Sequence, residues 1–408
     1  MMVKKKSKSY FSFLPVRASH RHTRFAWIFL FVVCFMALFG GLIANERPYM
    51  CRLEGVTYYP LFSGISEATL SARHPSASPV DWKTTPFESI WRAPIPYSHT
   101  TIDLHTGATL SPFSTQPISL RSRHWLGTDV LGRDVLAGMI RGCRVSLIIG
   151  LGSMLLALLF GVPLGSVAAY WGNKDWRMSW TQLLGMLFLL FILLLIWVIP
   201  LTFFIQFVIS VLLILAGFLL IRITQKIKSK KISLPLDTIV MGLISIVDSF
   251  PALFIILILL VVFPVQGWIT VMMVIALLRW PVMARYMRAE IFKMKESNYI
   301  KAAQVLNLPD LKILSSHIIP YAFRPVMVSF IFGVSSAILA ESSLSFLGIG
   351  LPAEELNWGR LLSEARNHFD AWWLVVFPGS AIFFTLLSLY TIGNVWQKSL
   401  ERRVESKR

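Results

Sequence analysis

Ser297 to Pro320 reads S-N-Y-I-K-A-A-Q-V-L-N-L-P-D-L-K-I-L-S-S-H-I-I-P, a polar island between long apolar runs. Tyr299, Ala302, Ala303 and Leu306 fall at i, i+3, i+4 and i+7, the spacing of one packed helix face, while Lys301 and Gln304 point elsewhere. Asn307 stands where that helix ends, because asparagine is second only to glycine in the left-handed conformation just past a C-terminus. Leu308 follows, and Pro309 cannot continue the helix. Asp310 is suited to cap a second one, in which Leu311, Leu314 and Ile318 share a face, and Pro320 is expected to close it. Two short helices around a tight turn make a stiff element, not a passive connector.

The runs on either side set the class. Of 408 residues, 55% are hydrophobic and 15% charged, well short of the roughly one quarter charged that soluble chains carry. The pattern predicts an all-α polytopic membrane protein. A net charge of +18 invites a nucleic-acid reading, but the basic residues sit in short clusters beside apolar runs instead of gathering on one surface. That arrangement sets membrane orientation, with Lys and Arg held in cytoplasmic loops, so nucleic acid is not an expected partner and the lipid bilayer is. Cys34, Cys51 and Cys143 are too few for a disulfide framework. One bridge between Cys51 and Cys143 stays open, and free thiols are the preferred reading.

Residues 1–24 are basic and precede the apolar run 25–44, too long for a signal peptide and read as a first span with its amino terminus inside. Residues 45–141 contain no spanning run and read as an external loop. Within it His99, Asp103 and His105 lack the repeated spacing of a metal site. H-W-L-G-T-D-V-L-G-R-D, His124 to Asp134, lacks the G-x-x-x-x-G-K-[ST] of a phosphate loop, and no such signature occurs in the chain. Asp134 is expected to cap a helix leading into the second span, Val145 to Trp171. There Ala157, Gly161 and Gly165 recur every four residues, the small-residue ridge of close helix packing.

An apolar stretch from Leu183 to Ile221 fits two spans, with Lys174 and Arg177 before it and Arg222 to Lys231 after it, so a hairpin with both ends inside is expected. Leu236 to Phe263 and Trp268 to Met287 follow. Asp248, just before Pro251, is an ionisable residue at membrane depth and reads as a structural partner for the backbone the proline disturbs. A further span enters at Phe323, and Gly333, Ala337, Glu341 and Ser345 make one of its faces. Glu341 must then meet protein or a wet path, because facing lipid costs several kcal/mol; a tie between helices is the preferred role. Leu351 to Ala371 reads as external, with Trp358, Glu354 and Glu355 free to meet a partner. Trp372 to Asn394 returns inside to a basic tail. Ser342, Ser343 and Ser345 read as packing residues, and no nucleophile stands near a base, so no enzyme is expected.

The loop resembles the coupling loop of bacterial ABC importer permeases, whose pattern is E-A-A, then G, then I-x-L-P, with Lys301 here in place of the Glu and Asn307 in place of the Gly. His124 to Asp134, G-C-R-V-S-L at Gly142 to Leu147, and A-I-L-A-E-S-S-L-S-F-L-G-I-G at Ala337 to Gly350 resemble the dipeptide/oligopeptide/nickel branch more closely. The resemblance implies a type I importer fold, six core helices plus the inserted hairpin. It also implies a permease domain over 142–394, with the insertion at about 173–235 and the coupling loop at about 289–322, and a cytoplasmic tail 395–408. Further implied are a location in the bacterial inner membrane with both termini cytoplasmic, and transport of peptides. The partners would be a homologous second permease, two ATPase subunits and an external substrate-binding protein. ATP would be used by those subunits, and no cofactor or metal by this chain. Lys301, Ala302, Ala303, Asn307, Leu308, Pro309 and Asp310 would be the coupling residues. The chain departs from the family in the insertion and in its end, where Gly393 is followed by Asn394 instead of the usual G-D-x-L-R-D string. The competing reading is an ion-coupled secondary transporter working through Asp248 and Glu341, which would need related halves, and no internal repeat is evident.

Overall fold

The computed structural model describes residues 21–74, 81–82, 85–103, 108–116, 120–173, 177–179, 189, 209–210, 212–213, 215–217, 231–262, 267–352 and 354–405. The described chain is mostly helical and forms two compact units. One comprises Met1–Gly161, Phe250–Tyr286 and Phe323–Arg408; the other comprises Val162–Ser249 and Met287–Ala322.

Among the described residues five helices are long and apolar enough to cross a membrane: α1 (Arg21–Ile43), α4 (Val135–Trp171), α7 (Trp268–Lys295), α9 (Asp310–Phe346) and α11 (Trp373–Glu405). A further pair of apolar helices reaches spanning length only when its two members are taken together. The stretch expected as one span from Leu236 is two helices, α5 (Leu236–Asp248) and α6 (Ala252–Val262), separated at Ser249–Pro251, because Pro251 supplies no backbone donor and disfavours helix before it. Asp248 is therefore not inside a continuous span: it is the exposed last residue of α5. Of the predicted inserted pair, Leu183 to Ile221, most lies outside the described residues. Its flanks do not: β4 (Arg177–Ser179) pairs antiparallel with β5 (Lys231–Ser233), so the insertion leaves and returns at one place.

The first unit holds more local structure than a plain loop over 45–141. β1 (Met50–Leu53) pairs antiparallel with β2 (Val56–Tyr58) and with β3 (Ser89–Trp91), and two short helices, α2 (Pro60–Ser63) and α3 (Glu67–Arg73), complete it. Cys51, Leu53, Leu70 and Trp82 form its small core. All three cysteines are free. Cys51 is shut into that core, and burial pushes its thiol up to about 11. Asp103 stands beside His124 instead of joining His99, and among the described residues no cluster of three or more His, Cys, Asp or Glu is placed to hold a metal; His105 lies outside them.

Helix packing follows the small residues. A Cβ on Gly161 would sit 2.6 Å from Trp280 O and 2.7 Å from Met283 Cβ, so α4 and α7 meet there backbone to backbone. Gly333 of α9 receives the Met154 side chain of α4, and Ala157 and Ala337 are fully buried. Gly165 is buried within the second unit. α1 lies on α11, with the rings of Phe25 and Phe29 about Phe384 at 6.0 and 5.8 Å.

Candidate functional site

The 297–320 stretch departs from its sequence reading in three respects. Its first helix, α8 (Asn298–Val305), buries Ile300 and Ala303, so of the predicted face only Ala303 turns inward. Ala302 is exposed, as are Tyr299 (53%), Val305 (86%) and Leu306 (74%). The packed stripe is shifted by one residue and shares Ala303 with the predicted one, Ile300 replacing Tyr299 because isoleucine carries no polar atom to satisfy while tyrosine does. The end of α8 is as expected. Asn307 has φ 53, its N–H bonds to Gln304 O at 2.9 Å, and Leu308 N–H reaches Ala303 O at 3.4 Å, the paired bonds of a left-handed cap.

Asp310 starts α9 without capping it; its carboxylate instead accepts the Tyr170 hydroxyl at 2.8 Å. Pro320 does not close that helix. A wider turn at Ile313–Ile318, in which the Ile319 N–H reaches back to Leu314 O, absorbs the missing proline donor, and α9 runs on through Pro325 to Phe346. Ile313, Leu314 and Ile318 are buried while Leu311 is 68% exposed.

The base of this stretch is fastened within the second unit. Lys295 Nζ donates to Tyr170 O at 2.7 Å while Tyr170 donates to Asp310, so one buried tyrosine at the end of α4 holds the end of α7 and the start of α9. Arg288 grips Asp237 of α5 through two bonds of 2.5 and 2.7 Å, the forked geometry that fixes orientation. Lys301 pairs with Glu296 at 3.0 Å, both well exposed, and an exposed pair contributes little. The result is a held loop with an apolar, uncovered crest of Ala302, Val305, Leu306 and Leu311.

At the other end of α9, Glu341 is fully buried and accepts from Ser146 (3.1 Å), Ser345 (2.9 Å), Ser342 (3.4 Å) and Asn357 (3.1 Å). Asn357 also caps α10 (Trp358–Ala365) by accepting from Arg360 N at 2.7 Å. The carboxylate thus ties α4, α9 and α10, and Ser342 and Ser345 are donors to it as well as packing residues. Trp358 and Glu355 are engaged inside the chain: Trp358 Nε1 donates to Met139 O at 3.0 Å, and Glu355 pairs with Arg141 at 3.0 Å.

His124 to Asp134 forms a clamp beside α10. Gly127 and Gly132 take φ 81 and 83, conformations that suit only glycine comfortably, and a Cβ on Gly127 would lie 2.4 Å from Leu110 O. Asp129 Oδ1 accepts the N–H groups of Leu131 and Arg133, and Oδ2 takes Arg133 Nε at 2.5 Å, while Arg133 Nη2 reaches Glu364 at 2.7 Å. Asp134 caps α4 through Ala137 N at 2.8 Å and bonds His124 Nδ1 at 2.9 Å. His124 stacks on Tyr97 at 4.3 Å, and burial, with Asp103 next, pushes the Tyr97 phenol up.

Residues 229–406 match the family described as the binding-protein-dependent transport system inner membrane component. The chain is 29% identical to the inner membrane ABC transporter permease protein YejE of Escherichia coli K12, over 91% of this chain and 92% of that protein. The oligopeptide transport system permease protein OppC of Bacillus subtilis 168 is 25% identical over 69% of this chain and 72% of its own. The peptidoglycan transport system permease protein YejE of Agrobacterium fabrum is 25% identical over 88% and 83%. The chain thus resembles ABC transporter permeases, over most of its length in the first of these relatives. Its long apolar helices, with the inner membrane proteins it is similar to, support a multi-pass inner membrane protein.

In the permease, the clamp carries its own pH dependence. Burial first, and the Asp129 carboxylate second, push the Glu364 carboxyl from 4.5 up to about 7, since two carboxylates share the Arg133 guanidinium. A carboxyl whose folded pKa exceeds its unfolded one supports folding below the unfolded value and withdraws that support as pH rises through the folded one. Stability is expected to decline between pH 4.5 and about 7, and Glu364→Gln to flatten that part of the profile. Thermal unfolding of the detergent-solubilised permease checks this; equal slopes in both proteins would refute it. The engaged residue that sequence reading missed, Asn357, had a usable signal: a preferred capping residue directly before the amphipathic W-G-R-L-L-S-E-A of α10.

Proposed function

We propose that the permease forms half of the translocation path of an ATP-driven peptide importer and receives its drive through Lys301 to Asp310. The observation that carries this is the crest of Ala302, Val305, Leu306 and Leu311, apolar and uncovered on a loop whose base is locked by Tyr170. Unsatisfied apolar surface on a rigid mount suits a partner protein. The partners would be two ATPase subunits at the crest, a homologous second permease beside the spans, and a substrate-binding protein on the opposite side, with both termini cytoplasmic. Closure of the ATPases would push the loop, and because the loop is continuous with α7 and α9 the push would reach the spans as a rigid-body movement. Peptide cargo is supported by the oligopeptide and peptidoglycan transport named for the relatives. ATP would be bound by those partners and no cofactor by this chain.

The ion-coupled alternative loses support from Glu341, whose oxygens are occupied by four neutral donors, and from Asp248, which lies at a helix end. The discriminating experiment purifies the permease from its native membrane and reconstitutes what comes with it. Co-purifying ATPase subunits and uptake of a labelled oligopeptide that requires ATP are the expected results. Uptake driven by an ion gradient without ATP, and lost in Glu341→Gln, would overturn the proposal.

A further inference from the structure

Arg279 lies in α7, eleven residues past Trp268, or ~16 Å along a helix axis, near the middle of a hydrocarbon layer of about 30 Å. Its guanidinium Nη2 donates to Ser336 Oγ of α9 at 2.7 Å. Among the described residues no carboxylate pairs with it. Glu341, the nearest acid along α9, is fully engaged by Ser146, Ser342, Ser345 and Asn357. An arginine at membrane depth is costly unless it meets protein, water or an anion.

Its position on α7 excludes lipid as the partner. Ile269, Met273 and Leu277 recur every four residues as an exposed apolar stripe, the face suited to acyl chains. Arg279 is two residues beyond Leu277, on the opposite side of the helix. Its own stripe runs through Met272, which fills the space at Gly152 of α4, and Ile275, 1% exposed. One step further the same stripe holds half-buried Arg279, and two turns on it reaches Tyr286, 49% exposed. Between Arg279 and Tyr286 that stripe passes Met283, fully buried against Gly161 of α4, so the half-buried cation interrupts a face packed against protein and not one turned to lipid.

We propose that Arg279, oriented by Ser336, is a binding site on the translocation path for the carboxylate of a passing peptide. Ser336 occupies one of the five N–H donors of the guanidinium, leaving enough for the forked contact that a carboxylate makes. The inference rests on the peptide-importer reading, since a peptide brings at least one carboxylate to every passage. A hydroxyl anchor suits a transient site: it fixes the fork without neutralising it, whereas a resident acid would compete with the cargo.

The test uses the assembled transporter in proteoliposomes, with both permeases, the ATPases and the external receptor. One oligopeptide is supplied as the free acid and as its C-terminal amide. For each, uptake by Arg279→Gln is divided by wild-type uptake, which cancels any preference of the receptor. The ratio is expected to fall tenfold or more for the acid, the loss of about 1.4 kcal/mol, and to stay within about twofold for the amide, with Arg279→Lys restoring most of the acid's uptake. An equal fall for both peptides, with or without loss of the second permease on purification, makes Arg279 a structural tie and overturns the proposal; so does no fall. If Arg279→Gln does not assemble, Ser336→Ala takes its place: a higher half-saturating concentration for the acid alone supports the site, and an unchanged or equally changed pair of values refutes it. A wild type that moves neither peptide on ATP sinks the importer reading and this one together, whereas normal ATP-driven uptake by Arg279→Gln sinks this one alone.

Discussion

Ala302→Asp is expected to abolish ATP-driven uptake while the permease still inserts and folds. The sequence pattern places Ala302 on a packed face, where an aspartate would break the loop itself. In the structure the effect has a different origin. Ala302 is exposed on α8, and the packing of that helix is carried by Ile300 and Ala303, which the substitution does not touch. The cap at Asn307 is likewise spared. What changes is the crest: Ala302 is flanked on its face by Leu306 and Tyr299, and a charge introduced there is stripped of water whenever a partner covers it. An unpaired buried charge costs several kcal/mol, and each 1.4 kcal/mol weakens association tenfold, so binding of an ATPase subunit falls by roughly a hundredfold or more. The measurement pairs uptake with the melting temperature of the isolated permease. Loss of uptake at an unchanged melting temperature fits a docking crest. Normal uptake would remove Ala302 from the contact, and a collapsed melting temperature would return it to the packed face. Val305→Asp, at the most exposed position of the crest, is expected to behave in the same way.

What the sequence discloses depends on how far apart the cooperating residues lie. The spans are legible because each is one apolar run, and the left-handed Asn307 and the Asp134 cap are legible because their reasons are local. The small sheet from Met50 to Trp91 is not, since strands of three or four residues are too short for a period to register. The Glu341 tie draws on Ser345 one turn along its own face, but also on Ser146 and Asn357, which no local pattern connects to it. Pro320 misleads for a related reason. A proline predicts a helix end only if the preceding turn is regular, and here the turn is widened by the packing of Ile313, Leu314 and Ile318. Ile300 and Tyr299 share the same ambiguity, because two stripes one residue apart both fit a seven-residue helix period, and only tertiary contact decides between them.

Arg133→Met is expected to cost about 3–5 kcal/mol of stability, the loss typical when one member of a buried ion group is removed. Arg133 is 4% exposed and serves two carboxylates, Asp129 at 2.5 Å and Glu364 at 2.7 Å. Without it Asp129, in a site with no exposure, keeps its two backbone N–H groups but loses its cation, while Glu364 is left with Arg360 at 3.8 Å. The consequence spreads along contiguous packing. Asp129 sets the turn that carries Gly132 and Asp134, Asp134 caps α4, and Val135 enters the core formed with Leu356, Leu361, Ala365 and Trp373. α10 belongs to that core and also carries Glu364, so releasing the clamp loosens the helix that Asn357 fastens to Glu341. Arg133→Lys keeps the charge but not the fork, and an intermediate loss is expected. Adding Asp129→Leu to Arg133→Met removes the stranded carboxylate, and because the two residues are in contact the pair should cost less than the sum of the single changes. Denaturant unfolding of the detergent-solubilised permease, with limited proteolysis between Gly127 and Val135 as a second readout, measures all three. Wild-type stability in Arg133→Met would mean that the three charges are not a unit, and strict additivity in the double variant would mean that Asp129 owes nothing to its neighbour.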